Sequence, residues 1–295
     1  MWQVRVPATS ANLGSGLDTL ALAVSLFMTA TFEPAPYWSI EVRGCGADTV
    51  SKLRDNLVWQ SADLLYHEAT GHSMPNGHLV LQSDIPLGKG LGSSAAATVA
   101  GLVLANELLP DPLSQDELLQ IAGHVEGHAD NAAAALFGGF VMVWQNAEDQ
   151  LQVRRYPAPD LSAVLAVPPY PVSTPAARLL LPGSVPLSDA VFNAQRVGLW
   201  VHAVTQRDWT VLRDASADRL HQPYRVPLNP LMQILVDAAE KRGCYAAILS
   251  GSGPTVLALT DLQHAQKVAE EWRRIEKIDV FVTTLCNQGA LSIPV

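Results

Sequence analysis

Pro86-Leu87-Gly88-Lys89-Gly90-Leu91-Gly92-Ser93-Ser94-Ala95-Ala96-Ala97 is the stretch on which the reading of this chain turns. Three glycines at alternate positions let the backbone turn tightly and approach a ligand closely. Two serines and an alanine run then open a buried helix, predicted over Ser93–Leu108. A helix N-terminus has unpaired N–H groups and roughly half a positive charge. Loop and helix start together form a cradle for phosphate, and a serine hydroxyl there can also ligate Mg²⁺. No Lys-Ser/Thr follows the last glycine, so this is not a Walker A loop. The spacing G-x-G-x-G is not the dinucleotide fingerprint either. For the glycines alone, a flexible turn with a serine cap before a core helix is the plain alternative.

Upstream of this loop, Trp2–Val6 alternates like a strand up to Pro7, Leu20–Phe32 is apolar, and Trp38–Val42 alternates again. Helix periodicity covers Asn56–Ala69, with Gly71 just past its end, and His78–Gln82 is a short strand. Downstream, Ser114-Gln115-Asp116-Glu117 has the form of a capping box opening a helix to about Glu126. Another helix starts near Asp130, and Phe140–Gln145 is a strand after Gly138-Gly139. The polar stretch Gln145–Asp160, with Pro157 and Pro159, marks a boundary between domains 1–155 and 156–295. Beyond it, strands are predicted at Ala163–Val167, Tyr245–Leu249, Thr255–Leu259 and Val280–Leu285. Helices are predicted at Asp189–Gln206, Trp209–Asp218, Pro230–Lys241 and His264–Ile275. The elements mix without a strict βαβα order, which predicts an α+β fold.

A length of 295 residues suits two domains. Hydrophobic residues make up 48% and charged residues 16%, enough for a full core and too few charges for a disordered chain. The net charge is −9 with no run of like charge, which excludes a basic surface for nucleic acid or an anionic membrane. An anionic ligand must therefore be held locally. No basic n-region with an apolar stretch opens the chain, and no apolar span of about 20 residues follows, so a cytoplasmic enzyme is expected. Cys45, Cys244 and Cys286 are far apart and odd in number, which reads as buried thiols rather than a disulfide framework or a metal site.

Pro-x-x-x-Gly-Leu-Gly-Ser-Ser-Ala-Ala, from Pro86 to Ala96, resembles the phosphate-binding motif of the GHMP kinases. Pro7-Ala8-Thr9-Ser10-Ala11-Asn12-Leu13-Gly14-Ser15-Gly16-Leu17-Asp18 is similar to the N-terminal signature of the homoserine kinases among them. Leu249-Ser250-Gly251-Ser252-Gly253-Pro254-Thr255 resembles the superfamily's C-terminal glycine motif. The resemblance implies a two-domain fold. Its N-terminal α/β domain carries a left-handed β-α-β unit, its C-terminal domain is ferredoxin-like, and ATP lies between them. ATP and phosphate contacts would come from Pro86, Leu87, Gly88, Lys89, Gly90, Leu91, Gly92, Ser93, Ser94, Ala95, Ala96, Gly251 and Gly253. For Lys89 solvation stays open beside a phosphate contact. Asn56 and Trp59 are candidates for adenine, with a core role equally open for Trp59.

The acceptor is read from other motifs. Glu126-Gly127-His128-Ala129-Asp130-Asn131 resembles Glu-Gly-His-Pro-Asp-Asn of bacterial homoserine kinases, with Ala129 replacing proline. The resemblance makes Glu126 and Ser94 ligands of Mg²⁺ and turns His128 and Asn131 toward the amino acid. Ser173-Thr174-Pro175-Ala176-Ala177-Arg178 and His221-Gln222-Pro223-Tyr224-Arg225 resemble the elements that supply two arginines. Arg178 and Arg225 would clamp a carboxylate, for which the guanidinium fork is better suited than lysine. Asn12 and Asp18 would contact the amino acid, Asp18 pairing with its ammonium. A carboxylate clamp and an ammonium acceptor together imply ATP-dependent phosphorylation of L-homoserine. Mevalonate has no ammonium, but another small-molecule GHMP kinase such as mevalonate kinase stays open. So does an inactive binding protein of this fold. Asp130 is read as a base or as a helix cap; no lysine near the first motif would depress its pKa. A homodimer is expected from the resemblance.

Overall fold

Leu20–Phe32, the apolar run after the first motif, lies within the 15-residue strand β2 (Leu20–Pro34). The computed structural model describes residues 1–294. In it β2 pairs antiparallel with β1 (Trp2–Ala11) along one edge, and with β4 (Gly77–Ser83) and β5 (Phe140–Gln145) along the other. β3 (Ser39–Gly44) is parallel to β4 and is joined to it through α1 (Leu57–Thr70). β6 (Leu151–Tyr156) extends β5, and β11 (Leu291–Pro294) pairs with β1 to complete a seven-stranded sheet.

Over this sheet lie α2 (Ser93–Asn106), α3 (Gln115–Glu126) and α4 (Asp130–Phe137). Ser114 caps α3 by accepting from Glu117 N, while the Glu117 carboxylate accepts from Ser114 N, closing the predicted box. α2 is apolar all round and is buried from Ala95 to Leu102, between α1, α3 and the sheet. Gly101 makes this possible: a Cβ there would collide with Val58 O and lie 3.0 Å from Ala62 N on α1. The stripe that holds α2 rigid therefore also fixes the direction of its N-terminus.

The second half carries β7 (Ser162–Val167), then α5 (Thr174–Leu179), α6 (Leu187–Gln206), α7 (Leu212–Ser216), α8 (Gln222–Arg225) and α9 (Met232–Lys241). β8 (Ala246–Leu249), β9 (Val256–Thr260), α10 (Leu262–Arg273) and β10 (Asp279–Thr284) follow. The four strands run antiparallel in the order β10-β7-β9-β8, the ferredoxin-like arrangement expected. β7 is buried on both faces. Ala163, Leu165 and Val167 join the core shared with the first sheet, while Val164 and Ala166 face Leu235 and Trp272 of α9 and α10.

Two features depart from the sequence reading. Part of the polar stretch Gln145–Asp160 is the strand β6, whose hairpin with β5 belongs to the first sheet. The boundary drawn at 155/156 thus falls one residue before the end of β6, and β11 crosses back to the first sheet rather than staying with the second. Trp209–Asp218 is broken into a 3₁₀ turn at Trp209–Val211 and the short α7. Among the described residues no helix is long and apolar enough to cross a membrane.

Candidate active site

α2 starts at Gly92 without a side-chain cap, so its first N–H groups are left for a ligand. Gly88, Gly90 and Gly92 have φ of +64°, +74° and +67°, the left-handed region that glycine enters without strain. Gly88, Gly90, Gly92, Ser93, Ser94 and Ala95 line a cleft of about 700 Å³. Pro86, Leu87, Lys89, Leu91 and Ala96 do not reach it. Leu91 and Ala96 are buried in the core instead, and Lys89 Nζ donates to Pro168 O at 2.9 Å.

The glycines also serve the protein's own packing. A Cβ on Gly90 would collide with Ser250 O and come within 2.8 Å of Gly253 O, so the two glycine loops lie back to back. Ser250 Oγ joins them by donating to Gly90 O at 2.6 Å. Gly251 lines the cleft; Gly253 does not, and packs against the Asn229 side chain. A Cβ on Gly92 would collide with Thr9 Oγ1. The space left free lets the Thr9 hydroxyl donate to Asn131 Oδ1 at 2.7 Å. With Oδ1 so occupied, the Asn131 Nδ2 group is the donor left for the cleft.

Glu126 ends α3 opposite the start of α2. Ser94 Oγ donates to Glu126 Oε1 at 2.9 Å and Thr98 Oγ1 donates to the same oxygen at 2.6 Å. Thr98 was not signalled by motif, yet it lies one helical turn after Ser94 on the same face. A carboxylate with a neighbouring hydroxyl is a hard oxygen donor set that fits Mg²⁺ arriving with phosphate. No group of three or more His, Cys, Asp or Glu side chains able to hold a metal occurs among the described residues, so such a cation would need ligand oxygens to complete its shell.

All the amino-acid contacts expected from sequence, Asn12, Asp18, His128, Asn131, Arg178 and Arg225, line this same cleft. Their partners are more interlinked than the sequence implied. Asn12 is buried, with Nδ2 donating to Gly251 O at 3.0 Å and Oδ1 accepting from Asp18 N at 3.1 Å. It therefore positions the Asp18 turn. Asn12, Leu13 and Asp18 hold φ of 70°, 46° and 54°, so strain is concentrated in this turn. Asp18 and Arg178 form a bidentate pair, at 2.6 and 3.0 Å, instead of standing apart. Burial alone would raise the Asp18 carboxyl, but the hydrogen bonds and charge of Arg178 outweigh it and hold it below the usual range.

Asp130 is buried, and its Oδ1 accepts from Asn131 N at 2.8 Å and faces His128 Nδ1 at 3.2 Å. That hydrogen bond raises the His128 pKa against the opposing effect of burial. Arg225 is buried too; its Nη1 donates to Gly251 O at 3.0 Å. Burial, and next Arg178, push its pKa down. Asn56 and Trp59 lie elsewhere. Asn56 caps α1 by accepting from Val58 N at 3.0 Å, and Trp59 is buried edge-on against Trp38 at 5.7 Å between centroids.

Family models described as "GHMP kinases N terminal domain" and "GHMP kinases C terminal" match residues 56–139 and 200–277. The chain is 42% identical over 257 residues to the homoserine kinase of Carboxydothermus hydrogenoformans, covering 87% of this chain and 84% of that one. It is 38% identical over 294 residues to the homoserine kinase of Moorella thermoacetica, covering 98% and 99% of the two. The crystal structure of homoserine kinase from Cytophaga hutchinsonii superposes with a TM-score of 0.85 at 33% identity, covering 99% of this chain and 96% of that one.

Proposed function

The chain belongs to the GHMP kinase family, among its homoserine kinases, and we propose from its site that it transfers the γ-phosphoryl group of ATP to the hydroxyl of L-homoserine. One observation carries this reading: Asp18, Arg178 and Arg225 line the same cleft as the uncapped start of α2. One acidic and two basic side chains match the head of a zwitterionic amino acid, and the helix start matches a polyphosphate.

The carboxylate of the substrate lies between Arg178 and Arg225. An anion there also offsets the burial and the repulsion from Arg178 that push the Arg225 pKa down. The ammonium adds to the Asp18 carboxylate, whose oxygens have lone pairs beyond those that Arg178 occupies. The substrate hydroxyl meets Asn131 Nδ2, which the Thr9 hydroxyl keeps in orientation. The nucleotide phosphates meet the Gly88–Gly92 loop and the N–H groups at the start of α2. Mg²⁺ bound with the nucleotide would be held by Ser94 and Glu126 and would neutralise phosphate charge.

Phosphoryl transfer has a loose transition state, so placing the hydroxyl in line and offsetting charge supply most of the rate. Asp130 is not cast as a strong base. Its Oδ1 is already committed to Asn131 N and His128, the geometry of an orienting carboxylate. The hydroxyl proton leaves late, passing to an oxygen of the transferred phosphoryl group as the new O–P bond forms and the bond to the ADP oxygen breaks.

The test is a substrate panel with ATP and coupled ADP detection: L-homoserine, L-threonine, mevalonate and galactose. Homoserine should give the highest kcat/KM. Faster turnover of mevalonate would overturn the assignment, and ATP binding with no turnover of any acceptor would point to an inactive binding protein of this fold.

A further inference from the structure

Arg225 is a cation in a buried position, so something must fix which of its N–H edges faces the cleft. Nη1 is held from two sides, by Gly251 O at 3.0 Å and by His221 Nδ1 at 3.1 Å. Among the described residues neither Nε nor Nη2 has a hydrogen-bond partner. His221 itself is wholly buried, and its Nε2 lies 2.7 Å from Gly14 O.

These contacts settle the state of the ring. Guanidinium has no acceptor, so Nδ1 must accept from Arg225, and Gly14 O has no proton, so Nε2 must carry one. His221 is therefore the neutral Nε2–H tautomer. Burial pushes its pKa below the usual range, with the Asp218 carboxylate opposing from 3.5 Å. Asp218 is committed elsewhere, accepting from the backbone N–H groups of Leu220, His221 and Gln222. Gly14 is closely packed, with Ser216 O in the position its Cβ would take. Its carbonyl thus anchors one ring nitrogen, and the other nitrogen sets the guanidinium.

We propose that His221 is a positioning residue for the substrate carboxylate: anchored on Gly14 O, it holds Arg225 Nη1 so that the unpartnered Nη2 of the guanidinium faces the cleft. The proposal rests on the reading of Arg225 as a carboxylate clamp.

Two substitutions separate the ring's two roles. His221→Gln keeps an amide donor within reach of Gly14 O but places no acceptor at Nδ1. His221→Asn keeps a carbonyl near Nδ1 and loses the donor. His221→Gln should raise the homoserine KM about tenfold or more, the worth of one hydrogen bond to a charged group, with the ATP KM unchanged. His221→Asn should recover most of that loss even if its Tm is lower. The Gln variant should match the native enzyme on 3-aminopropan-1-ol, which is homoserine without its carboxylate. Adding His221→Gln to Arg225→Ala should cost nothing more.

Equal losses in the Gln and Asn variants that persist on the decarboxylated acceptor would make His221 a structural residue only. An unchanged homoserine KM in Arg225→Ala would remove the clamp and this proposal with it. An effect in Arg225→Ala without one in His221→Gln would remove this proposal alone. One readout needs no variant: ¹⁵N shifts of the native imidazole should show a protonated Nε2 and a bare, hydrogen-bonded Nδ1. A protonated Nδ1 would overturn the assignment.

Discussion

At one end of the cleft, Gly88, Gly90, Gly92 and Ser94 come from a single short segment and act largely through the backbone. At the other end, Asp18, His128, Arg178 and Arg225 come from four distant segments and act through side chains. The first end is preformed: its helix is locked into the core on all sides, so the N–H groups cannot turn away. The second holds itself together by pairing Asp18 with Arg178, Asp130 with His128, and Arg225 with His221. A polyphosphate can dock onto the first end without displacing anything. An amino acid entering the second must share or exchange partners already engaged. Affinity for nucleotide should therefore depend on shape, and affinity for the acceptor on charge balance.

Glu126→Ala is the harshest test of this division, because it strikes where the two ends meet. Removing the carboxylate held by Ser94 and Thr98 should lower kcat by roughly a hundredfold to several thousandfold, since charge neutralisation at phosphate is worth several kcal/mol. The homoserine KM should change little, and thermal unfolding should show a folded protein. Near-normal turnover at saturating Mg²⁺ would take Glu126 out of the chemistry.

Next in size are Arg178→Ala, Arg225→Ala and Asp18→Ala. Each should reduce kcat/KM for homoserine roughly tenfold to several hundredfold while leaving the ATP KM alone, as a charge-assisted bond is worth about 1.5–3 kcal/mol and an orphaned partner adds to the loss. Asp18→Ala and Arg178→Ala should also be non-additive, because each already strands the other's charge. Esterifying the carboxylate should penalise the native enzyme heavily and the arginine variants much less. Weakened ATP binding in all three would erase the distinction between the two ends.

The glycine loop offers a milder contrast within one segment. Gly88→Ala meets only Pro171 Cβ, at 3.3 Å, so it should cost about 1–2 kcal/mol for the left-handed backbone. Gly92→Ala carries the same strain and also drives a methyl into the Thr9 hydroxyl that orients Asn131. It should lose more stability than Gly88→Ala and lower kcat as well, measured by denaturant unfolding and initial rates. Equal effects at the two sites would mean the Thr9–Asn131 bond is incidental.

How much of this was legible follows from where the information sits. The turn-forming glycines, the Ser114 capping box and the buried helix α2 are local patterns, and the structure has each where the sequence placed it. β6 was hidden because it is a strand of polar, half-exposed residues such as Gln152, Arg154 and Arg155, which lack the apolar signal of a buried strand. Trp59 and Asn56 show the reverse difficulty: aromatic and amide side chains near a nucleotide motif leave a ligand role and a structural role both open, and the structure has Asn56 capping α1 and Trp59 packed in the core. The motifs identified Asp18, Arg178 and Arg225 one by one. Their pairings could not be read, because Asp18 and Arg178 are 160 residues apart in sequence. Thr98 was within reach of a simple helical-spacing argument from Ser94.

The smallest effect expected separates the two ends by pH. His128 is largely buried beside Asp130, and the hydrogen bond between them raises its pKa. A raised pKa means that the folded state binds the proton more tightly than the unfolded state does. That stabilisation is fully present below the unfolded imidazole value of about 6.5 and is lost as pH rises through the higher folded value. Asp18 behaves oppositely. Its lowered pKa contributes above the unfolded carboxylate value of about 3.9 and is lost only on strong acidification, so it does not intrude in this window. The Tm of the native protein minus that of His128→Asn should therefore shrink as pH rises above about 6.5. The ATP affinities of the two proteins should stay equal to one another over the same range, because the nucleotide's own phosphate ionisation acts on both alike and the backbone N–H groups of the cradle do not titrate. A Tm gap that widens with pH would mean that burial, not Asp130, governs His128. An ATP affinity that moves with His128 would mean that the two ends of the cleft are electrostatically one site.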